Sequence, residues 1–205
     1  MKDPYKFDFE GEAVKKSTNK YEPSSTDIKE PTALHIASYQ GKLSYVRELV
    51  ESKLFSPLQM DHIGRTALHC AAEGCHLDVL KYFIEERNIN PACLGAYGET
   101  PLHIAARQKD IRIVEYLVTE QQVDPMCQDE EYGRTPLHAA CIGGNIATVR
   151  FLVNEIKQYF PVKNIVSDKT KVGHTPLHFA AYAGHLETVR SVSYTHLTLP
   201  TIYSV

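Results

Sequence analysis

Apolar residues recur along the middle of the chain at offsets 0, 3, 6 and 7, in four successive blocks. The blocks are Leu43, Val46, Leu49, Val50; Leu77, Leu80, Phe83, Ile84; Ile111, Val114, Leu117, Val118; and Ile146, Val149, Leu152, Val153. That spacing is one face of an α-helix, so each block predicts an amphipathic helix buried on one side. Ahead of each block stands a second, shorter pattern. The strings are Thr32-Ala33-Leu34-His35, Thr66-Ala67-Leu68-His69, Thr100-Pro101-Leu102-His103 and Thr135-Pro136-Leu137-His138. A fifth copy is Thr175-Pro176-Leu177-His178. Threonine suits a helix N-cap, and proline suits the first helical position, where its missing N–H costs nothing. The alanines that follow each string keep this first helix thin, so a neighbour can approach.

The histidines give the period. His35, His69 and His103 are 34 residues apart, His138 follows after 35 and His178 after 40. Periods of this size signal stacked units that cannot bury their apolar faces alone. Polar turns carrying Gly or Asp join the units, as in Asp61-His62-Ile63-Gly64 and Asp129-Glu130-Glu131-Tyr132-Gly133.

The recurring Gly-x-Thr-Pro-Leu-His-x-Ala-Ala, followed by Leu-x-x-Val-x-x-Leu-Val, resembles the ankyrin repeat. The resemblance covers residues 27–191 and implies an all-α solenoid of helix-turn-helix units joined by β-turn or hairpin loops. Repeats are expected at 27–58, 59–91, 92–125, 126–162 and 163–191, the last incomplete. The family's fold implies structural roles for His35, His69, His103, His138 and His178, and for Thr66, Thr100, Thr135 and Thr175. Two departures stand out. Where the family has glycine after the first helix, Gly41, Gly144 and Gly184 keep it, but Cys75 and Lys109 do not. A side chain in a left-handed backbone there costs about 1 kcal/mol each. Glu30 stands where the first turn glycine belongs, which suggests a divergent N-terminal cap.

The ends differ from the array. Residues 1–26 are polar and mixed in charge, and are read as a flexible leader in which Phe7 and Phe9 are the notable apolar residues. From Ser193 the helical pattern breaks into Tyr194-Thr195-His196-Leu197-Thr198-Leu199-Pro200-Thr201. Residues 192–205 are similar to translated sequencing-adapter DNA. They are read as a non-family tail on a C-terminally truncated fragment.

Composition narrows the function. Charged residues make up 23% of the chain, the net charge is −3 and the pI is about 6.4, so no basic footprint for nucleic acid exists. No apolar run approaches the roughly 20 residues of a membrane span. Five cysteines, with no Cys-x-x-Cys pair, read as reduced thiols in the cytoplasm or nucleus. No phosphate-binding Gly-x-x-x-x-Gly-Lys, no Gly-x-Ser-x-Gly and no His-Glu-x-x-His is present, so neither catalysis nor a metal or other cofactor is expected. Cys70 sits at a core position and reads as a packed thiol. His62, His76, His174 and His185 lie near turns and read as surface residues.

What the resemblance implies is a binding surface for a protein partner, presented by a monomer. Turn tips and first-helix ends line the family's concave face. By position this face holds Tyr39, Arg65, Tyr97, Glu99, Arg107, Tyr132, Arg134 and Tyr182. The tyrosines are expected to anchor a partner and the arginines to pair with its acidic groups. The alternative is that the chain is the cytosolic N-terminal part of a larger ankyrin-bearing ion channel or signalling enzyme.

Overall fold

The computed structural model describes residues 32–95, 97–159 and 165–197. Among the described residues ten α-helices follow one another in five pairs: α1 Ala33–Tyr39 and α2 Leu43–Glu51; α3 Ala67–Glu73 and α4 Leu77–Lys81; α5 Pro101–Arg107 and α6 Arg112–Glu115; α7 Pro136–Gly143 and α8 Ile146–Tyr159; α9 Pro176–Tyr182 and α10 Leu186–Leu197. First helices stack on first helices, α1 on α3, α3 on α5, α5 on α7 and α7 on α9. The apolar residues that define the sequence period form one continuous core between the helix layers. Leu34, Leu68, Leu102 and Leu137 are buried, as are Val46, Leu80, Val114 and Val149 behind them.

Each first helix starts in the same way. The threonine N-cap is extended, its hydroxyl faces the backbone N–H of the histidine, and the histidine turns back to the threonine. Thr66 N–H donates to His69 Nδ1 at 3.3 Å, and the Thr66 hydroxyl lies 2.9 Å from the same nitrogen. The pairs Thr32–His35, Thr100–His103, Thr135–His138 and Thr175–His178 repeat the arrangement. A ring nitrogen that accepts an N–H carries no proton, so the proton is on Nε2. Nε2 then donates across the repeat boundary. His35 reaches the carbonyls of Gln59 and Arg65 at 2.9 and 3.0 Å; His69 reaches Glu99 at 3.0 Å, His103 reaches Arg134 at 3.0 Å and His138 reaches His174 at 3.3 Å. The repeated histidines therefore cap a helix with one nitrogen and hold the next turn tip with the other.

Three features differ from what the sequence predicts. Cys75 does adopt the left-handed backbone, with φ +61°, but Lys109 does not. Gln108 takes an extended conformation instead, φ −80° and ψ 163°, which reroutes the chain before the left-handed position is reached. Asn145 of the next repeat secures the detour by donating to the Gln108 carbonyl at 2.5 Å. Second, α4 and α6 each end in a π turn, Tyr82–Glu86 and Tyr116–Glu120. Left-handed Asn88 and Gln122 follow, and the N–H groups of Ile89 and Val123 return to the carbonyls of Phe83 and Leu117 at 3.0 and 2.9 Å. This satisfies carbonyls that a helix end otherwise leaves open. Third, α10 continues through Ser193 to Leu197. Val192 is buried and extends the apolar face begun by Val189, and that burial outweighs the modest helix propensity of the neighbouring Ser and Thr. The leader, Phe7, Phe9, Glu30 and residues 198–205 lie outside the described residues.

The second helices carry a polar ladder on their outer side. Arg47 lies 4.5 Å over the Tyr82 ring and pairs with Glu86, and Lys81 lies 4.7 Å over the Tyr116 ring. Such exposed pairs contribute on the order of 1 kcal/mol or less each. Repeat cohesion comes from the core and the histidine bonds.

Two predictions follow from this packing. Cys75→Gly should raise stability by about 1 kcal/mol by relieving the left-handed side chain, while Lys109→Gly should give no gain, because its backbone is not left-handed. Urea midpoints of the two variants decide the matter. The second concerns acid. Burial lowers the pKa of His69 and of His138 to about 4, against the backbone bonds that oppose the shift, and burial lowers that of His103 as well. Unfolded histidine titrates near 6.5. Between pH 6.5 and about 4 the unfolded chain binds protons that the folded chain refuses, so stability falls as pH drops through that window. For His69 and His138 the loss from pH 7 to pH 5 should be roughly 2 kcal/mol each. His69→Gln should flatten the pH dependence of the urea midpoint; an unchanged slope would contradict the assignment.

Candidate interaction face

The turn tips are built on short side chains that bond their own backbone. Asp61 Oδ1 accepts the N–H groups of Ile63 and Arg65 at 3.0 and 2.9 Å, and Asp129 Oδ1 accepts the N–H of Tyr132 at 2.7 Å. Gly64, Gly98, Gly133 and Gly173 then turn the chain at φ values between +68° and +85°, a region open to glycine at no steric cost. Neighbouring tips are tied together. The Tyr97 carbonyl accepts the Glu130 N–H at 3.1 Å, and the Tyr132 carbonyl accepts the Lys171 N–H at 2.8 Å. The tips thus form a backbone-linked row.

The structure divides the sequence-predicted face in two. Arg65, Arg107, Arg134 and Glu99, expected to meet a partner's charges, are held by the chain itself. Arg65 pairs with Asp61 and Glu73. Glu99 bridges Arg107 at 3.4 Å and Arg134 at 3.2 Å, and Arg134 also donates to Asp129 at 2.6 Å. Asp61 and Asp129 are buried, and each has an arginine and backbone donors as its partners there. Burial works to lower the Arg65 pKa, but Glu73 and Asp61 outweigh it and the net shift is upward. The guanidinium groups act as braces for the tips. Arg134 also stacks on the Tyr132 ring at 4.5 Å, which fixes that ring's plane.

The tyrosines are the accessible part. Tyr39 and Tyr182 are exposed at the ends of α1 and α9, and Tyr97 and Tyr132 at the tips. Two further residues belong with them. Ile63 and Val172 occupy the same tip position as Tyr97 and Tyr132, the residue just before the turn glycine. Relative exposures along this column are 39% for Ile63, 50% for Tyr97, 38% for Tyr132 and 63% for Val172. The sequence signal was available, since the residue preceding the glycine is exposed at all four described tips, but aliphatic residues in a turn carry no binding signature by themselves. His185, expected at the surface, instead donates from Nε2 to the Ile142 carbonyl at 3.0 Å and covers Gly144.

Burial pushes the thiols of Cys70 and Cys141 up to about 12, and all five cysteines are free. Among the described residues no three His, Cys, Asp or Glu side chains converge as a metal site. Nor is any described helix long and apolar enough to cross a membrane.

Comparison with curated proteins returned no match. A family model described as ankyrin repeats (3 copies) matches residues 7–93, 56–129 and 102–196. Those matches overlap and together span residues 7–196, and the helix pairs, threonine caps and stacking described above fall within them. The chain belongs to the ankyrin repeat family.

Proposed function

We infer that this chain is a non-catalytic module that binds a protein partner across the row of turn tips, in the cytosol or nucleus. Ankyrin repeats are generally protein–protein interaction modules. The observation that carries the finer reading is the separation just described: the tip column Ile63, Tyr97, Tyr132 and Val172 is apolar and exposed, while the adjacent arginines are neutralised from within. Rigid aromatic and aliphatic side chains on a backbone-tied row lose little entropy on docking. Tyr39 and Tyr182 extend the same surface at its two ends. A partner would present apolar or aromatic side chains to this row, with hydrogen bonds to the tyrosine hydroxyls, and would gain little from acidic groups.

Quantitative capture from a cell lysate tests the reading. The immobilised full chain is compared with a variant carrying Ile63→Ala, Tyr97→Ala, Tyr132→Ala and Val172→Ala, and with an outer-face control carrying Arg47→Ala and Lys81→Ala. Specific partners should fall about tenfold or more with the tip variant, should be unaffected in the control, and should survive an increase in salt from about 0.15 M to about 0.5 M. Equal capture by all three proteins would exclude the tip row. Loss of capture in high salt alone would show that charge carries binding.

A further inference from the structure

One buried position recurs in the second helices: Val79 in α4, Ile113 in α6, Thr148 in α8 and Thr188 in α10, which are 0%, 1%, 0% and 1% exposed. Valine and isoleucine fill it with hydrocarbon. The two threonines put a hydroxyl there, and neither Oγ1 has a hydrogen-bond partner among the described residues. A hydroxyl buried unbonded gives up its bonds to water and gains none in return, a cost that a methyl of the same shape avoids. The cation and ring pairs on the outer side of these helices stop at the same place. Arg47 covers the Tyr82 ring and Lys81 the Tyr116 ring, each cation reaching one repeat forward. In the next two junctions the register sets Glu115 before Phe151 and Arg150 before Ser191. A carboxylate gains nothing from the negative face of a ring, and serine offers no ring, so neither later junction can form this pair. The Tyr82 hydroxyl is also buried and unbonded among the described residues, but its ring lies under Arg47.

The first-helix layer continues through the same junctions. His103 and His138 hold the Arg134 and His174 carbonyls across the later two, as His35 and His69 hold those of Arg65 and Glu99 across the earlier two. The tips stay joined through the Tyr97 and Tyr132 carbonyls. We propose that the array is stiff up to α6 and compliant beyond it. There α8 and α10 part from the second helices before them while α7 and α9 remain stacked, so the last two repeats pivot on the first-helix layer. Such a pivot lets the tips that carry Tyr132 and Val172 change their angle to the fixed pair Ile63 and Tyr97. That use of the pivot rests on the docking function proposed above; the pivot itself is measured on the chain without a partner, so the two can fail separately.

Hydrogen exchange of the full chain, read by peptide mass, tests the pivot. Amides of residues 146–153 and 186–193 should be about tenfold less protected than those of residues 77–84 and 111–118, while α7 and α9 stay as protected as α3 and α5. Thr148→Val removes the unbonded hydroxyl and keeps the side-chain shape. It should slow exchange in α8 about tenfold, and Thr188→Val should do the same in α10. The converse change, Val79→Thr, should speed exchange in α4 by about the same factor. Equal protection of the four second helices would overturn the proposal, as would valine variants that leave exchange in α8 and α10 unchanged. Opening of α7 together with α8 at one rate would also overturn it, because whole repeats would then be unfolding.

Discussion

An imidazole with its proton on Nε2 is the constraint on which the stack depends. The ring is buried between layers of helices, so both nitrogens need partners inside the protein. Nδ1 finds the threonine N–H and hydroxyl of its own repeat, and Nε2 finds a carbonyl in the turn tip of the next. One side chain thus ties the start of a helix to the position of a neighbouring loop. If the ring were charged, Nδ1 would have to donate toward an N–H that itself donates, and the cap would fail. Burial keeps the ring neutral, and neutrality keeps the geometry. The contrast is His178, which lies on the far side of the last helix pair, is exposed, and bonds among the described residues only to Thr175.

Everything at the tips rests on that bond. Four of the carbonyls held by histidine belong to Arg65, Glu99, Arg134 and His174, residues of the tips themselves. With the base of each turn fixed, Asp61 and Asp129 can order the loop backbone, and the arginines can span from loop to helix end without reaching into solvent. Arg65, Arg107 and Arg134 pair with carboxylates of the chain itself and brace the surface. The residues that precede the described turn glycines, Ile63, Tyr97, Tyr132 and Val172, stay exposed beside them.

Much of this was legible in the sequence because a repeat states each rule several times. The threonine, the histidine, the helical faces and the left-handed turn at Cys75 all follow from register alone. The detour at Gln108 was not legible, because the residue that stabilises it, Asn145, lies in another repeat and matters only through a contact in space. The ion pairs of Arg65, Arg107 and Arg134 were hidden for the same reason: a sequence shows a charge but not whether a carboxylate already holds it. The continuation of α10 past Ser193 went unseen because local propensity argued against it, while burial of Val192 decided it.

Ring nitrogen chemical shifts measure the tautomer of the buried histidines directly. Two-bond proton–nitrogen correlation spectra of the histidines at pH 6 should show His69, His103 and His138 as neutral rings protonated at Nε2, with Nδ1 shifted as a lone-pair acceptor. Rings protonated at Nδ1, or rings charged at that pH, would contradict the account.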